Sequence, residues 1–361
     1  MKKPMMPAPS RRGPPETSLS AATRRAFLQA APGAVWLAAP ADAAAPPAEA
    51  LRIREVAYDR KGGFLRLRTD AVTGSGPLDV THEGEAAESL GRAVLRNADA
   101  AQREAWWAEL RRRGAPPAVL AALDLALWDL LGQAWKLPVF RLLGGFRDLL
   151  PACRAGAPER NLERLVEAVG EARRQGYRAY RSRARLPVAE TERMASRVRA
   201  AAGDDFVLIH DALGQFDFAD AVRAGRALEQ AGYAWLENPL ADRAAAPRRR
   251  LCAALDLPVA ANVTLASAAA VLAEQSADLL VARVPGDAGF TGLVKMARLA
   301  EAFGVFLELA AAPQPLLGVQ AHLLGAVRNA MFFFAETAVP LADGQVRVPA
   351  APGFGRLGAG A

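Results

Sequence analysis

Apolar and polar positions along the 361-residue chain fall into two regimes. Over residues 51–115 the pattern is mixed. Leu51-Arg52-Ile53-Arg54-Glu55-Val56 alternates, as does Phe64-Leu65-Arg66-Leu67-Arg68, and this period of two predicts two strands. The Gly62-Gly63 pair between them suits a hairpin. Residues 86–113 predict helix, and from Pro116 to Leu131 apolar residues recur at helical spacing, with Gly132 near the end.

Beyond that point the chain acquires a rhythm. Short apolar runs near 149–154, 177–183, 206–211, 233–237, 257–262, 279–283, 304–309 and 331–336 predict eight strands. Stretches such as 161–175, 187–202 and 219–230 predict helices between them. Alternating β and α implies a parallel sheet, and eight such units imply a closed α/β barrel of the TIM type. A doubly wound open sheet is the alternative. No Gly-x-Gly-x-x-Gly follows a strand, so dinucleotide binding has no support.

Composition narrows the class. Apolar residues make up 52% and charged residues 23%, which excludes a disordered chain. With only two cysteines, Cys153 and Cys252, a disulfide-rich scaffold is excluded; they are read as buried thiols, although export would let them pair. No uninterrupted apolar run of about 20 residues occurs, so a polytopic membrane protein is excluded.

The net charge of +7 is misleading, because residues 1–43 carry six basic residues against two acids, leaving about +3 for the rest. That balance gives no reason to invoke nucleic acid. The same leader holds Thr23-Arg24-Arg25-Ala26-Phe27-Leu28, then an Ala-rich stretch over 30–39, then Ala41-Asp42-Ala43. Basic region, short apolar region and small-x-small cleavage site predict a twin-arginine export signal over 1–43 and a periplasmic or secreted protein. The apolar stretch is too short and too proline-broken for a stable membrane span. Lysine is scarce: five lysines (Lys2, Lys3, Lys61, Lys136, Lys295) stand against forty arginines.

In a β/α barrel the chemistry sits at the C-terminal ends of strands. The run 206–210 ends in Asp211, the run 233–236 in Glu237, and the run 258–261 in Asn262. Their spacings of 26 and 25 residues are one βα unit each. Three oxygen-bearing side chains on neighbouring strand ends form a candidate hard-cation site, with Mg²⁺ the ion that oxygen ligands and open positions suit. The alternative is that polar residues simply cap strands.

These residues carry a resemblance. Ala122-Leu123-Asp124-Leu125-Ala126-Leu127-Trp128-Asp129-Leu130, Gly132-Gln133-Ala134 and Leu137-Pro138-Val139-Phe140-Arg141-Leu142-Leu143-Gly144-Gly145 resemble the entry segment of the enolase superfamily, in its mandelate racemase and muconate-lactonizing branch. Trp235-Leu236-Glu237-Asn238-Pro239 is similar to that family's Glu-x-Pro metal strand, and residues 344–349 and 352–355 resemble its closing segment. The resemblance implies a (β/α)7β barrel over 116–345, a shortened α+β capping domain over 44–115, and a C-terminal segment, 346–361, returning to the cap. It implies Mg²⁺ held by one residue on each of three successive strands, here Asp211, Glu237 and Asn262. It also implies removal of a proton α to a small carboxylate substrate, as in acid-sugar dehydratases, racemases and cycloisomerases. Barrel enzymes of this kind often self-associate, so a homo-oligomer is allowed for.

The base positions depart from the family pattern. Its Lys-x-Lys stands here as Arg181-Ser182-Arg183, and Arg283 falls where an opposing lysine is usual. Parity puts Arg181 and Arg183 on one face, read as the barrel mouth. The seventh strand offers no histidine; Glu308 near its end is the best substitute base. His322 and His210 are read as structural, with His210 facing away from the mouth. Arginine cannot act as a base at neutral pH, since its pKa exceeds about 12. The cap is also short, with a tight turn at Arg60–Phe64 where members often carry a covering loop, which leaves a wetter site. Two functional readings follow. One is a Mg²⁺-dependent lyase or isomerase with altered bases. The other is a catalytically degenerate, exported carboxylate-binding or structural member, with the metal retained or lost.

Overall fold

The computed structural model describes residues 46–355 except 79–82 and 243; the export leader expected over 1–43 lies outside the described residues. A 3-10 turn over Ala48–Leu51 precedes three antiparallel strands, β1 (Glu55–Asp59), β2 (Phe64–Arg68) and β3 (Thr73–Pro77). The register pairs Asp59 with Phe64 across the expected tight turn. The first strand therefore starts later than the alternation predicts, and β3 was not foreseen. Gly74 and Gly76 explain why β3 carries almost no side chains. A Cβ at these positions would meet the carbonyl oxygens of Ala126 and Ala122 at 2.1 and 1.8 Å, so only glycine lets this strand lie flat on a helix.

The helix predicted over 86–113 is two helices, α1 (Gly84–Leu95) and α2 (Arg103–Arg112). The break has a local cause. Asn97 takes a left-handed conformation, and residues 97–98 exchange backbone bonds with Ile53 instead of continuing the helix. Helix α3 (Pro117–Trp135) opens on a proline and is buried on nearly every side. Val119, Leu120, Leu123 and Leu127 face the cap core, while Leu125 and Trp128 join the barrel core. It is long and apolar enough to cross a membrane, but here it is the shared core helix of both parts.

After a one-turn helix α4 (Val139–Leu142) come the eight strands: β4 (Leu149–Glu159), β5 (Ala179–Ala184), β6 (Val207–Asp211), β7 (Trp235–Glu237), β8 (Val259–Asn262), β9 (Leu279–Ala282), β10 (Phe306–Leu309) and β11 (Phe333–Ala335). All eight overlap the predicted runs. Seven helices alternate with them: α5 (Leu162–Arg174), α6 (Val188–Ala202), α7 (Phe218–Gln230), α8 (Ala245–Ala254), α9 (Leu265–Ala273), α10 (Gly289–Ala302) and α11 (Leu317–Ala326). This is the (β/α)7β order. The helices start where side chains satisfy the first turn: Asn161 accepts from Arg164 N, Asp217 from Asp220 N, and Thr264 with Ser267 forms a capping box.

The parallel strands pair in the order β10-β9-β8-β7-β6-β5-β4-β11, with β12 (Gln345–Arg347) added antiparallel to β4. One core lies between sheet and helices; a second fills the barrel with Cys153, Ala179, Ile209, Trp235, Val281 and Phe334 among others. Residues 352–354 then bond to Asp129 and Gln133 of α3, which fixes the end of the chain against the helix shared with the cap.

Between β10 and β11 no ladder forms among the described residues. Among the described residues the seam is bridged by Leu307 N to Asn329 O at 2.8 Å, by Asn329 Nδ2 to Val305 O at 3.1 Å, and by the Glu308 carboxylate, which accepts Met331 N at 2.6 Å and Phe332 N at 3.2 Å.

Candidate functional site

Strand parity brings Arg181, Arg183, Asp211, Glu237, Asn262, Arg283 and Glu308 to the inside of the barrel, and register sets their depth. Arg183 is level with Asp211, and Asp211 with Glu237. Arg181 pairs with Ile209, two residues lower, and Asn262 stands two residues above Ala260, the partner of Glu237.

From its lower rung Arg181 reaches both carboxylates. Its Nη2 lies 2.8 Å from Asp211 Oδ2 and 2.6 Å from Glu237 Oε2, and its Nε donates to Glu237 Oε2 at 2.8 Å. The group is sealed: Arg181 is 5% exposed, Asp211 3% and Glu237 1%. The remaining oxygens are occupied as well. Trp235 Nε1 donates to Glu237 Oε1 at 2.9 Å, while Leu213 N and Asn238 Nδ2 donate to Asp211 Oδ1 at 3.0 and 3.2 Å. Asn238, in a left-handed conformation, also accepts Asn262 N. Burial works against the charge of Arg181, but Glu237 and Asp211 outweigh it, and its pKa rises. Burial pushes the Glu237 carboxyl up, with Arg181 pulling it back.

Above this triad opens a cavity of about 760 Å³. Among the described residues its lining includes five arginines (Arg160, Arg181, Arg183, Arg185, Arg283) against three acids (Glu159, Asp211, Glu336), and no lysine or histidine. Arg183 bonds Glu336 at 3.0 Å and approaches Asp211 at 3.6 Å. Arg185 donates to Leu213 O. The Arg283 guanidinium has no protein partner among the described residues and is open to a ligand. Asn262 is exposed on the cavity wall.

Glu308 does not line this cavity and is fully buried. The reading of it as the substitute base is corrected here: its two oxygens are taken by Met331 N and Phe332 N at the barrel seam, one layer below the mouth. Burial pushes its pKa up to about 7, against those two N–H donors and the more distant Arg147. His210 and His322 are structural as expected. His322 accepts from Phe140 N and pairs with Phe354 O, and His210 is buried outside the barrel against Ser182 Oγ. Cys153 and Cys252 are free thiols.

The donor set does not fit a divalent metal as it stands. Mg²⁺ demands near-octahedral oxygens at about 2.0–2.1 Å. Here a guanidinium occupies the point where Asp211 and Glu237 converge, N–H donors hold their other oxygens, and Asn262 lies one rung higher. No group of three or more His, Cys, Asp or Glu able to hold a metal occurs among the described residues. Sequence reasoning missed Trp235 as a carboxylate holder; its two-residue spacing from Glu237, on one strand face, was the available signal.

The chain matches the family model described as enolase C-terminal domain-like over residues 164–356, and that of the mandelate racemase / muconate lactonizing enzyme N-terminal domain over 63–144. It is 30% identical over 225 residues to the L-talarate/galactarate dehydratase of Salmonella typhimurium, spanning 61% of this chain but only 56% of that one. It is 28% identical over 313 residues to the 3,6-anhydro-alpha-L-galactonate cycloisomerase of Streptomyces coelicolor, covering 80% and 86% of the two chains. A racemase from Streptomyces coelicolor A3(2), solved with bound magnesium, superposes with a TM-score of 0.70 at 26% identity over 81% of this chain and 88% of that one. With both domains matched in order, the chain belongs to the mandelate racemase/muconate lactonizing enzyme branch of the enolase superfamily.

Proposed function

We propose that the barrel mouth binds a small hydroxy or sugar acid by its carboxylate, in a divergent member that has given up the family's metal-and-base chemistry. The observation that carries this reading is the arginine-lined cavity, with Arg183 on β5 and the unpaired Arg283 after β9 on its wall. Guanidinium forks match carboxylates with two parallel N–H···O bonds, and they hold their charge at any physiological pH. Among the described residues lining the cavity, none is a lysine or histidine able to take a proton from carbon near neutral pH. The twin-arginine leader supports a place for this binding outside the cytoplasm, and a reporter fused to residues 1–43 would test that.

Similarity to a dehydratase and a cycloisomerase favours a second reading, a lyase or isomerase acting on such an acid. One experiment separates them. The protein is titrated calorimetrically with sugar acids, galactarate included, and the same acids are incubated with it in deuterium oxide. Binding without deuterium at the carbon next to the carboxylate is the expected result. Incorporation of deuterium would establish the second reading, and no binding to any acid would overturn both.

A further inference from the structure

We infer that the Arg181 guanidinium is a built-in replacement for a divalent cation, so that the site of this chain handles anions without a metal. This goes beyond acid binding, and its test does not need an acid to bind. The argument starts from charge. Two carboxylates, 3% and 1% exposed, converge on one point at the end of β6 and β7. Such a pair needs a cation between its members, or one of them takes up a proton. The chain supplies the cation itself, tethered to β5, with its N–H groups donating to both acids at 2.8 Å.

The substitution changes the charge of the site. A divalent ion between two carboxylates leaves them neutral, whereas a guanidinium leaves one negative charge. An incoming anion must then be attracted by other cations. Arg183, level with Asp211, and the unpaired Arg283 stand on the wall of the same cavity. The exchange of lysine for arginine at the mouth and the blocked metal position are thus one adaptation. A lysine on the rung of Arg181 would offer a single ammonium, with no planar fork to join carboxylates on two strands.

Removing the guanidinium should therefore create a metal site. Full-length mature protein is titrated with Mn²⁺, followed by electron paramagnetic resonance, and melted with and without Mn²⁺. Wild type should bind no Mn²⁺ up to about 1 mM, the weak end of protein oxygen-donor sites, and chelator should leave its melting temperature unchanged. Arg181→Ala and Arg181→Gln should each bind one Mn²⁺ and melt higher in its presence, as a ligand of the folded state requires. Adding Asp211→Asn should abolish both effects. Wild type that binds Mn²⁺ and loses it on Asp211→Asn overturns the inference. Folded variants that neither bind Mn²⁺ nor shift overturn it as well. If neither variant folds without metal, refolding restored by Mn²⁺ supports it, and refolding in neither condition leaves the wild-type titration to decide.

Discussion

Arg181 and Glu237 meet across the barrel interior at 2.6 Å, from strands β5 and β7, which are not neighbours. The contact skips β6 and ties two staves of the cylinder through a side chain. Glu237→Gln keeps the shape and the Trp235 bond but removes the charge that Arg181 was buried to meet. Breaking one member of a buried ion pair is expected to destabilise the fold by about 3 kcal/mol. Urea denaturation of the variant against wild type measures it; a loss below about 0.5 kcal/mol, the size of an exposed pair, would refute the buried arrangement.

Glu308 gives the protein a pH signature. In the fold its pKa is about 7 rather than 4.5. Between these values the unfolded chain has lost the proton while the fold still holds it, so this group's stabilisation is full below about pH 4.5 and is lost as pH rises to 7. His210 and His322, each lowered from 6.5 to about 4 by burial, act in the opposite sense: their stabilisation is lost as pH falls through that interval. Two histidines outweigh one carboxyl over this interval, so the Glu308 contribution is read from its variant and not from the wild-type profile. The cost of Glu308→Gln should shrink by roughly 2–3 kcal/mol between pH 4.5 and pH above 7. Denaturant titrations at several pH values show it, and a pH-independent cost would contradict the buried acid.

Asp124 joins α3 to the start of α10. It accepts Thr291 N at 2.7 Å and Thr291 Oγ1 at 2.6 Å, while Thr291 Oγ1 accepts Trp128 Nε1 at 2.9 Å. Asp124→Ala leaves a buried N–H without a partner in the first turn of a helix and is expected to cost about 2–3 kcal/mol. Thermal unfolding is the measurement. Asp124→Asn, which keeps one acceptor, should cost less.

Acid binding at the mouth should respond to salt. Charges at an open cavity are screened over about 8 Å at physiological ionic strength. Affinity for a dicarboxylate should fall severalfold from low to physiological salt. Arg283→Ala should bind about tenfold more weakly and show a shallower salt dependence, with an unchanged melting temperature. Calorimetric titration at three salt concentrations tests the three binding outcomes, and a thermal melt of the variant tests the fourth.

The barrel was legible because both faces of its strands are buried. Each strand therefore writes a short continuous apolar run, and all eight runs mark real strands. The cap was less so. Thr73-Gly74-Ser75-Gly76-Pro77 has a strand's backbone but no side chain on the face toward α3, since Gly74 and Gly76 are there to admit that helix. At the site, parity put Arg181 and Arg183 on one face, and strand ends picked out Asp211 and Glu237; all four face inward. Parity carries no depth, however, and depth decides what a long side chain meets. Arg181 starts one rung low and ends between two acids instead of at the mouth. Glu308 was legible as inward and acidic, but its partners are backbone groups of 331 and 332, supplied by a seam that no sequence pattern announces.

That seam sets where the cylinder would tear. Elsewhere neighbouring barrel strands are joined by rows of backbone bonds; along β10 and β11, among the described residues, the Glu308 carboxylate and the backbone and side chain of Asn329 do the fastening. The edges flanking it can part while the other seven contacts of the wall stay intact, which makes this line the natural start of unfolding and the place where amide protons exchange first. A deleted Glu308 would thus loosen the molecule along this line, and unpaired strand edges would be offered to neighbouring molecules at high concentration.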